Sequence, residues 1–251
     1  MIKFFRQIRY NLMEQNKTGK YFKYAIGEII LVVIGILIAI QINNWNENHK
    51  IQNEEKKILL ALLKEFQNSK DDFIETTNTN DTIFNHVHEI FKHTGSKWDG
   101  SLSRQASDSL INRLLAGSTA DISTSYLEET LNTGKIKIIQ NEDLQFMLSN
   151  WKIELIDHKV ETEARTRELL SNDIFPFVHQ NYTLYIGRVK TVTDTPSGFI
   201  TDYTKIYQSQ AFENYVLLRL HRLRYTKKEY QILIDQCDEI ISLIQSELKK
   251  Q

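Results

Sequence analysis

Proline, glycine and cysteine are all scarce in this chain. Of 251 residues two are Pro (Pro176 and Pro196), nine are Gly and one is Cys. No Gly or Pro lies between Gly35 and Gly95. Pro removes a helix donor and Gly is entropically costly in a helix, so this breaker-poor stretch favours long helices. The lone Cys237 cannot close an internal disulfide, and without a Cys pair a zinc ribbon is excluded; the redox compartment stays open. There is no excess charge either. Lys and Arg total 31 against 32 Asp and Glu, a formal net charge of −1, so no global field draws nucleic acid or acidic substrates. A nucleophile elbow, a Walker loop and a Gly-rich phosphate cradle are also missing, and the aromatic residues fall mostly at core spacing. The expectation is a protein that is not an enzyme and carries no cofactor.

What the chain does have is one long apolar run. Every residue from Ile29 to Ile40 is apolar, and Glu28 and Gln41 are the strongly polar side chains between Ala25 and Ile42. Counted from Tyr21, the segment rises roughly 33 Å as a helix, enough to cross a hydrocarbon core. The chain therefore divides into a basic tail (1–20), a transmembrane helix (21–43) and a large soluble part (44–251). Lys3, Arg6, Arg9, Lys17, Lys20 and Lys23 precede the run, whereas Lys50 is the lone Lys or Arg between Gln41 and Glu55. Basic flanks are retained in the cytoplasm, which predicts an N-terminus inside and the bulk of the chain in the periplasm. Tyr21, Phe22, Tyr24 and Trp45 suit the two headgroup layers. A cleaved signal peptide would have a shorter apolar region followed by a small-residue cleavage site; QINNWNE follows here, which favours an uncleaved anchor.

From Lys20 to Glu47 the chain reads KYFKYAIGEIILVVIGILIAIQINNWNE. This closely resembles the N-terminal signature of a membrane-anchored family of unknown function that is abundant in Bacteroidota. The start from Met1 to Arg6 (MIKFFR) matches that family too. The stretch from Tyr126 to Leu144 (YLEETLNTGKIKIIQNEDL) matches more loosely, with Thr133 before Gly134 where the family tends to have Ser. The resemblance implies a one-span helical protein with no established activity, and it carries over no catalytic or ligand residue.

Periodicity fills in the rest. In the tail, Phe4, Phe5, Ile8 and Leu12 are spaced for one helical face lying on an anionic leaflet; a disordered basic tail is the alternative. Leu59, Leu63, Phe66, Lys70, Phe73, Thr77, Asn80, Phe84, Val87 and Phe91 form a heptad seam, weakest at Thr76–Asp81, where a break is the runner-up to a continuous helix. The stretch from Thr94 to Asp108 reads as a loop, followed by a short helix with Leu110, Ile111, Leu114 and Leu115 inward and Gly117 as its stop. Ser125 with Glu128 offers a capping box, Gly134 a C-terminal cap, Lys135–Ile139 an extended connector and Asn141 an N-cap. The next helix (seam Leu144, Leu148, Trp151, Leu155, His158, Thr162, Leu169, Leu170) should reach about Ser171 and be ended by Asp173–Val178, where Pro176 removes a donor and restrains its predecessor. After 182–198, read as a loop with a strand pair as the alternative, Ser209 opens the strongest helix, whose seam runs Phe212, Val216, Arg219, Leu223, Thr226, Tyr230, Leu233, Cys237, Ile240 and Ile244. The fold class is all-α, one transmembrane helix followed by an antiparallel bundle of three long helices with short connecting ones.

Four groups of residues are candidate sites. Ala25, Glu28, Val32, Gly35, Ala39 and Ile42 share one face of the span, and the small pair Gly35 and Ala39 permits close helix approach, in a homo-oligomer or with a protein partner. The alternative is a Glu28 carboxylate snorkelling to the headgroups near Lys20 and Lys23. His86, Glu89 and His93, with His88 nearby, become a metal site only if a neighbouring helix adds a fourth ligand; otherwise they are a solvated polar face. Arg219, His221, Arg222, Arg224, Lys227 and Lys228 form a basic cluster expected to pair with acids on a neighbouring helix rather than to bind nucleic acid. Tyr182, Tyr185, Phe199 and Tyr203 cluster in the irregular segment, where a small-ligand site would lie. The leading expectation is an interaction protein (adaptor, assembly factor or sensor-like module) with a bilayer and a protein as partners. The alternative is a small-ligand-binding bundle.

Overall fold

A computed structural model describes residues 18–183 and 202–250, with Arg6, Tyr10 and Phe199 as isolated positions. The tail face of Phe4, Phe5, Ile8 and Leu12, Tyr185 and the turn at 191–198 lie outside the described residues. Among the described residues every regular element is helical. They are α1 (Thr18–Lys92), α2 (Arg104–Leu114), α3 (Ser125–Asn132), a 3₁₀ turn (Lys135–Ile138), α4 (Glu142–Glu154), α5 (Glu161–Glu168), α6 (Phe175–Asn181), α7 (Thr204–Tyr207) and α8 (Gln210–Lys250). The links Leu155–Val160 and Leu169–Ile174 are π-helical, so residues 142–181 are helical throughout.

The chain divides into two compact units, Met1–Lys57 and Ile58–Gln251. In the first, the apolar run of α1 keeps its side chains outside: Leu31 is 63 % exposed and Ile42 is 62 % exposed. Burying apolar surface yields roughly 25 cal/mol per Å², so a helix bare of cover on all sides is suited to hydrocarbon rather than water.

The second unit holds two apolar clusters. One joins Leu59, Leu62, Phe66 and Phe73 of α1 to Leu144, Leu148 and Trp151 of α4 and to Tyr230, Leu233 and Cys237 of α8. Phe66 meets Trp151 edge-on at 5.0 Å between ring centroids, and Phe73 meets Tyr230 at 5.2 Å. The other joins Ile83, Val87 and Ile90 of α1 to Ile111 and Leu114 of α2, Val178 of α6, and Phe212 and Val216 of α8. Polar pairs cross between helices in opposite sequence order: Lys70 with Asp238 and Asp81 with Lys227, then Glu154 with Gln236 and His158 with Glu229.

Several local expectations are corrected. On α1 the inward positions are 55, 58, 59, 62, 66, 69, 73, 76, 80, 83, 87 and 90. Half of the heptad reading is therefore one residue late: Leu63, Phe84 and Phe91 flank the clusters while Leu62, Ile83 and Ile90 fill them. As expected, the helix continues through Thr76–Asp81: Thr76 and Asn80 are buried and Asp81 pairs with Lys227, tertiary contacts that outweigh weak propensity. Helix α2 starts inside the expected loop, where Ser103 accepts from Ala106 N at 3.2 Å.

The capping box at Ser125 is replaced by a longer-range device. Thr124 is the N-cap and makes no side-chain cap bond; instead Glu65 of α1 accepts from Tyr126 N and Leu127 N, both at 2.9 Å. The connector at Lys135 coils instead of extending, because among the described residues no strand is there to pair with it and its backbone groups pair locally, as Lys137 N does with Gly134 O at 3.2 Å. Pro176 does not end the helix. The wide turn before it bonds Phe175 N to Leu170 O, five residues back, and Pro176 then falls in the first turn of α6, where no donor is needed.

Candidate functional site

The level between the two apolar clusters is polar. Thr76 and Asn80 on α1, Thr162 on α5 and Thr226 on α8 are all buried, and the buried Arg219 of α8 follows beside that level, between Val216 and Leu220 of the second cluster. A cavity of about 230 Å³ opens there, lined by Asn80, Glu163, Thr166, Leu170, Arg219 and Leu223 among others. Gly117, Ser118 and Thr119, just past α2, close another side, and the exposed Thr119 and Arg167 stand at the rim. Gly117 lies close against the site: a Cβ there would make ordinary contact, 3.9 Å from Arg219 Nη2 and 4.0 Å from Leu170 Cδ1.

Arg219 is the centre of the site. It is 1 % exposed, and Nη2 donates to Ala116 O at 2.6 Å, whereas Nε and Nη1 are buried with no hydrogen-bond partner. Thr166 Oγ1 is buried without a partner as well. Burial pushes the guanidinium down from its usual value to about 10, which still leaves it charged at neutral pH. The acid in the lining does not answer it. Glu163 is engaged elsewhere, accepting from the Tyr230 hydroxyl and from Lys159 Nζ at 3.1 Å. Burial first, and then Glu163, hold the Tyr230 phenol well above its ordinary range. The segment that carries Glu163, Thr166 and Arg167 is α5, with a π-helical turn on either side. Such wide turns recur at functional sites because they re-aim the side chains of a helix.

The other sequence-derived groups fall out differently. On the apolar run, Val32, Gly35, Ala39 and Ile42 are exposed and Ala25 and Glu28 half-buried; a Cβ added to Gly35 would meet nothing within 4 Å. His86 Nδ1 lies 2.7 Å from Thr82 O, and Glu89 holds Lys92 at 2.8 Å and His93 at 3.4 Å. The Lys92 hydrogen bond, before other causes, keeps the Glu89 carboxyl below its usual range. His88 stacks on Phe84, and among the described residues no group of three or more His, Cys, Asp or Glu is arranged to hold a metal.

The basic cluster disperses around α8. Lys227 pairs with Asp81 at 2.6 Å, Arg224 lies over the Phe84 ring at 5.5 Å, His221 stacks with Tyr225, and Arg219 turns inward. In the aromatic group, Phe199 is exposed and Tyr203 donates to Leu102 O at 2.9 Å. Tyr182 is buried and donates to Asp108 Oδ1 at 2.6 Å, with Ser107 Oγ 2.9 Å from Tyr182 Oη and 3.0 Å from Tyr207 Oη. Arg104 completes this network, donating from Nε to Asp108 at 3.0 Å and from Nη2 to Thr183 O at 2.8 Å. The described tyrosines thus serve the protein's own interior. Sequence reading missed the cavity because Arg219 keeps seam spacing; a cation in an otherwise apolar seam was the available signal.

Among the described residues, these features define an all-helical protein with one helix long and apolar enough to cross a membrane. A model of an uncharacterised family, described as a family of unknown function (DUF6090), matches residues 28–151, just under half of the chain. Over that stretch the chain is similar to that family. It takes in most of the apolar run, Glu65, Asn80 and the Gly117–Thr119 wall, while Glu163, Thr166 and Arg219 lie beyond it. No curated protein and no solved structure matches.

Proposed function

We propose that this is a single-pass protein of the inner membrane, its N-terminus cytoplasmic and its helical domain periplasmic, acting through protein contacts as an adaptor, assembly or sensor-like module. The observation that carries this reading is the uncovered apolar run of α1 beside a basic flank. In the domain, α1 beyond Ile58, the 142–181 run and α8 act as an antiparallel three-helix bundle, a reading supported by the opposite sequence order of their ion pairs. The bilayer is one partner. The other meets the face of Ala25, Glu28, Val32, Gly35, Ala39 and Ile42, either as a second copy or as another membrane protein. An alkaline phosphatase fused after Gln251 is expected to be active and a β-galactosidase inactive; the reverse pattern refutes the orientation.

A second reading, small-ligand binding by the helical domain, is favoured by the cavity at Arg219. Neither Tyr182 nor Tyr203, where the aromatic residues had pointed, is in its lining.

A further inference from the structure

We propose that the Arg219 cavity binds a small organic monocarboxylate, its carboxylate on the guanidinium and the hydroxyl of Thr166 and its short apolar body against Leu170 and Leu223. This rests on the small-ligand reading above and names the chemistry of that site. A buried cation with unmatched donors is costly, and removing its partner is among the more destabilising things that can be done to an interior. Buried polar atoms almost always find a partner, so two unpartnered nitrogens of Arg219 and the unpartnered hydroxyl of Thr166, on two residues that line one cavity, leave room for an acceptor there.

The sign and size of that acceptor follow from the lining. Arg219 and Arg167 are cationic; Glu163 is the one acid there, and its charge is already met by Lys159 and the Tyr230 hydroxyl. The surplus is positive, which selects an anion. With a single buried guanidinium and two leucines in the wall, one negative charge on a hydrocarbon body fits better than a phosphate dianion, whose extra oxygens would need further donors. A cavity of about 230 Å³ exceeds the roughly 150 Å³ that accommodates benzene, so an acid of butyrate to benzoate size is accommodated.

The test uses the full chain in a non-ionic detergent, with its thermal midpoint followed by circular dichroism. The probes are butyrate, benzoate, their neutral amides butyramide and benzamide, and inorganic phosphate. Butyrate or benzoate should raise the midpoint in a saturable way, and the amides and phosphate should not. Arg219→Met, close in length and apolar, should abolish the shift. Thr166→Val, nearly isosteric, should weaken binding by about fivefold or more, and it decides the matter if Arg219→Met does not fold. A midpoint unmoved by every probe overturns both this proposal and the ligand-binding reading. An equal response to the amides, a response to phosphate alone, or an undiminished shift in both variants overturns the carboxylate assignment and leaves the ligand-binding reading in place.

Discussion

At the scale of single residues, the interior of the helical domain is set by a few polar side chains held among apolar ones. Cys237 is buried, and burial pushes its thiol up to about 12, with Asp238 adding to the effect. Burial also lifts the Tyr207 phenol to about 12. In the unfolded chain both groups release their protons near their ordinary values of 9.0 and 10.0. The unfolded state therefore binds fewer protons than the native one above pH 9, and stability falls as pH rises from there toward 12. The urea midpoint should be level from neutrality to about pH 9 and decline above it, and Cys237→Ala should flatten the part of the decline nearest pH 9. A midpoint unchanged to pH 11 would contradict the burial of these groups. The same scale shows what the sequence could tell. Every seam position read on α8, Arg219 included, is buried. On α1, alternate positions slipped by one because Leu62 and Leu63, or Ile83 and Phe84, are both apolar, and spacing alone cannot rank neighbours of equal hydrophobicity.

At the scale of elements, long-range polar contacts do work that local signals seemed to assign elsewhere. Glu65 is the clearest case, since its carboxylate takes the place of an N-cap for α3 from another helix. An anion suits a helix N-terminus, and two backbone donors satisfied together add geometric precision. Glu65→Gln presents an amide NH₂ to one of the two N–H groups, so it should cost about 1–3 kcal/mol, read as a lower urea midpoint with unchanged slope. Glu128→Gln, outside that clamp, should cost much less; equal effects would return the cap to the local sequence. Asn141 illustrates the opposite outcome. Its side chain accepts from Leu144 N at 2.9 Å as a cap should, and its amide also donates to Glu247 at 2.8 Å, tying the start of α4 to the end of α8. That hydrogen bond, ahead of the one from Lys250, holds the Glu247 carboxyl below its usual range. Caps could be read where they are local. Clamps between helices could not, because they depend on which elements meet.

At the scale of the whole molecule, one apolar run and one helical domain carry the functional argument. The run was fully legible, because length, hydropathy and flanking charge are properties of consecutive residues. The cavity was not, because it exists where α1, α5 and α8 bring Asn80, Thr166 and Arg219 together. Gly35→Leu combined with Ala39→Leu should reduce self-association at least several-fold in a membrane two-hybrid assay, since close approach of two spans requires small side chains. A Cβ at Gly35 meets nothing in its own chain, so a loss of signal reports on contact between molecules rather than on damage within one. Unchanged association would remove the seam.

The polar layer between the two apolar clusters gives the domain a fault line. Oily contacts hold each side of it, while threonines and an asparagine occupy the gap and Arg219 stands at its edge. Unfolding that began at that level would free one cluster from the other, and a ligand bound in the cavity would oppose it like mortar between two courses.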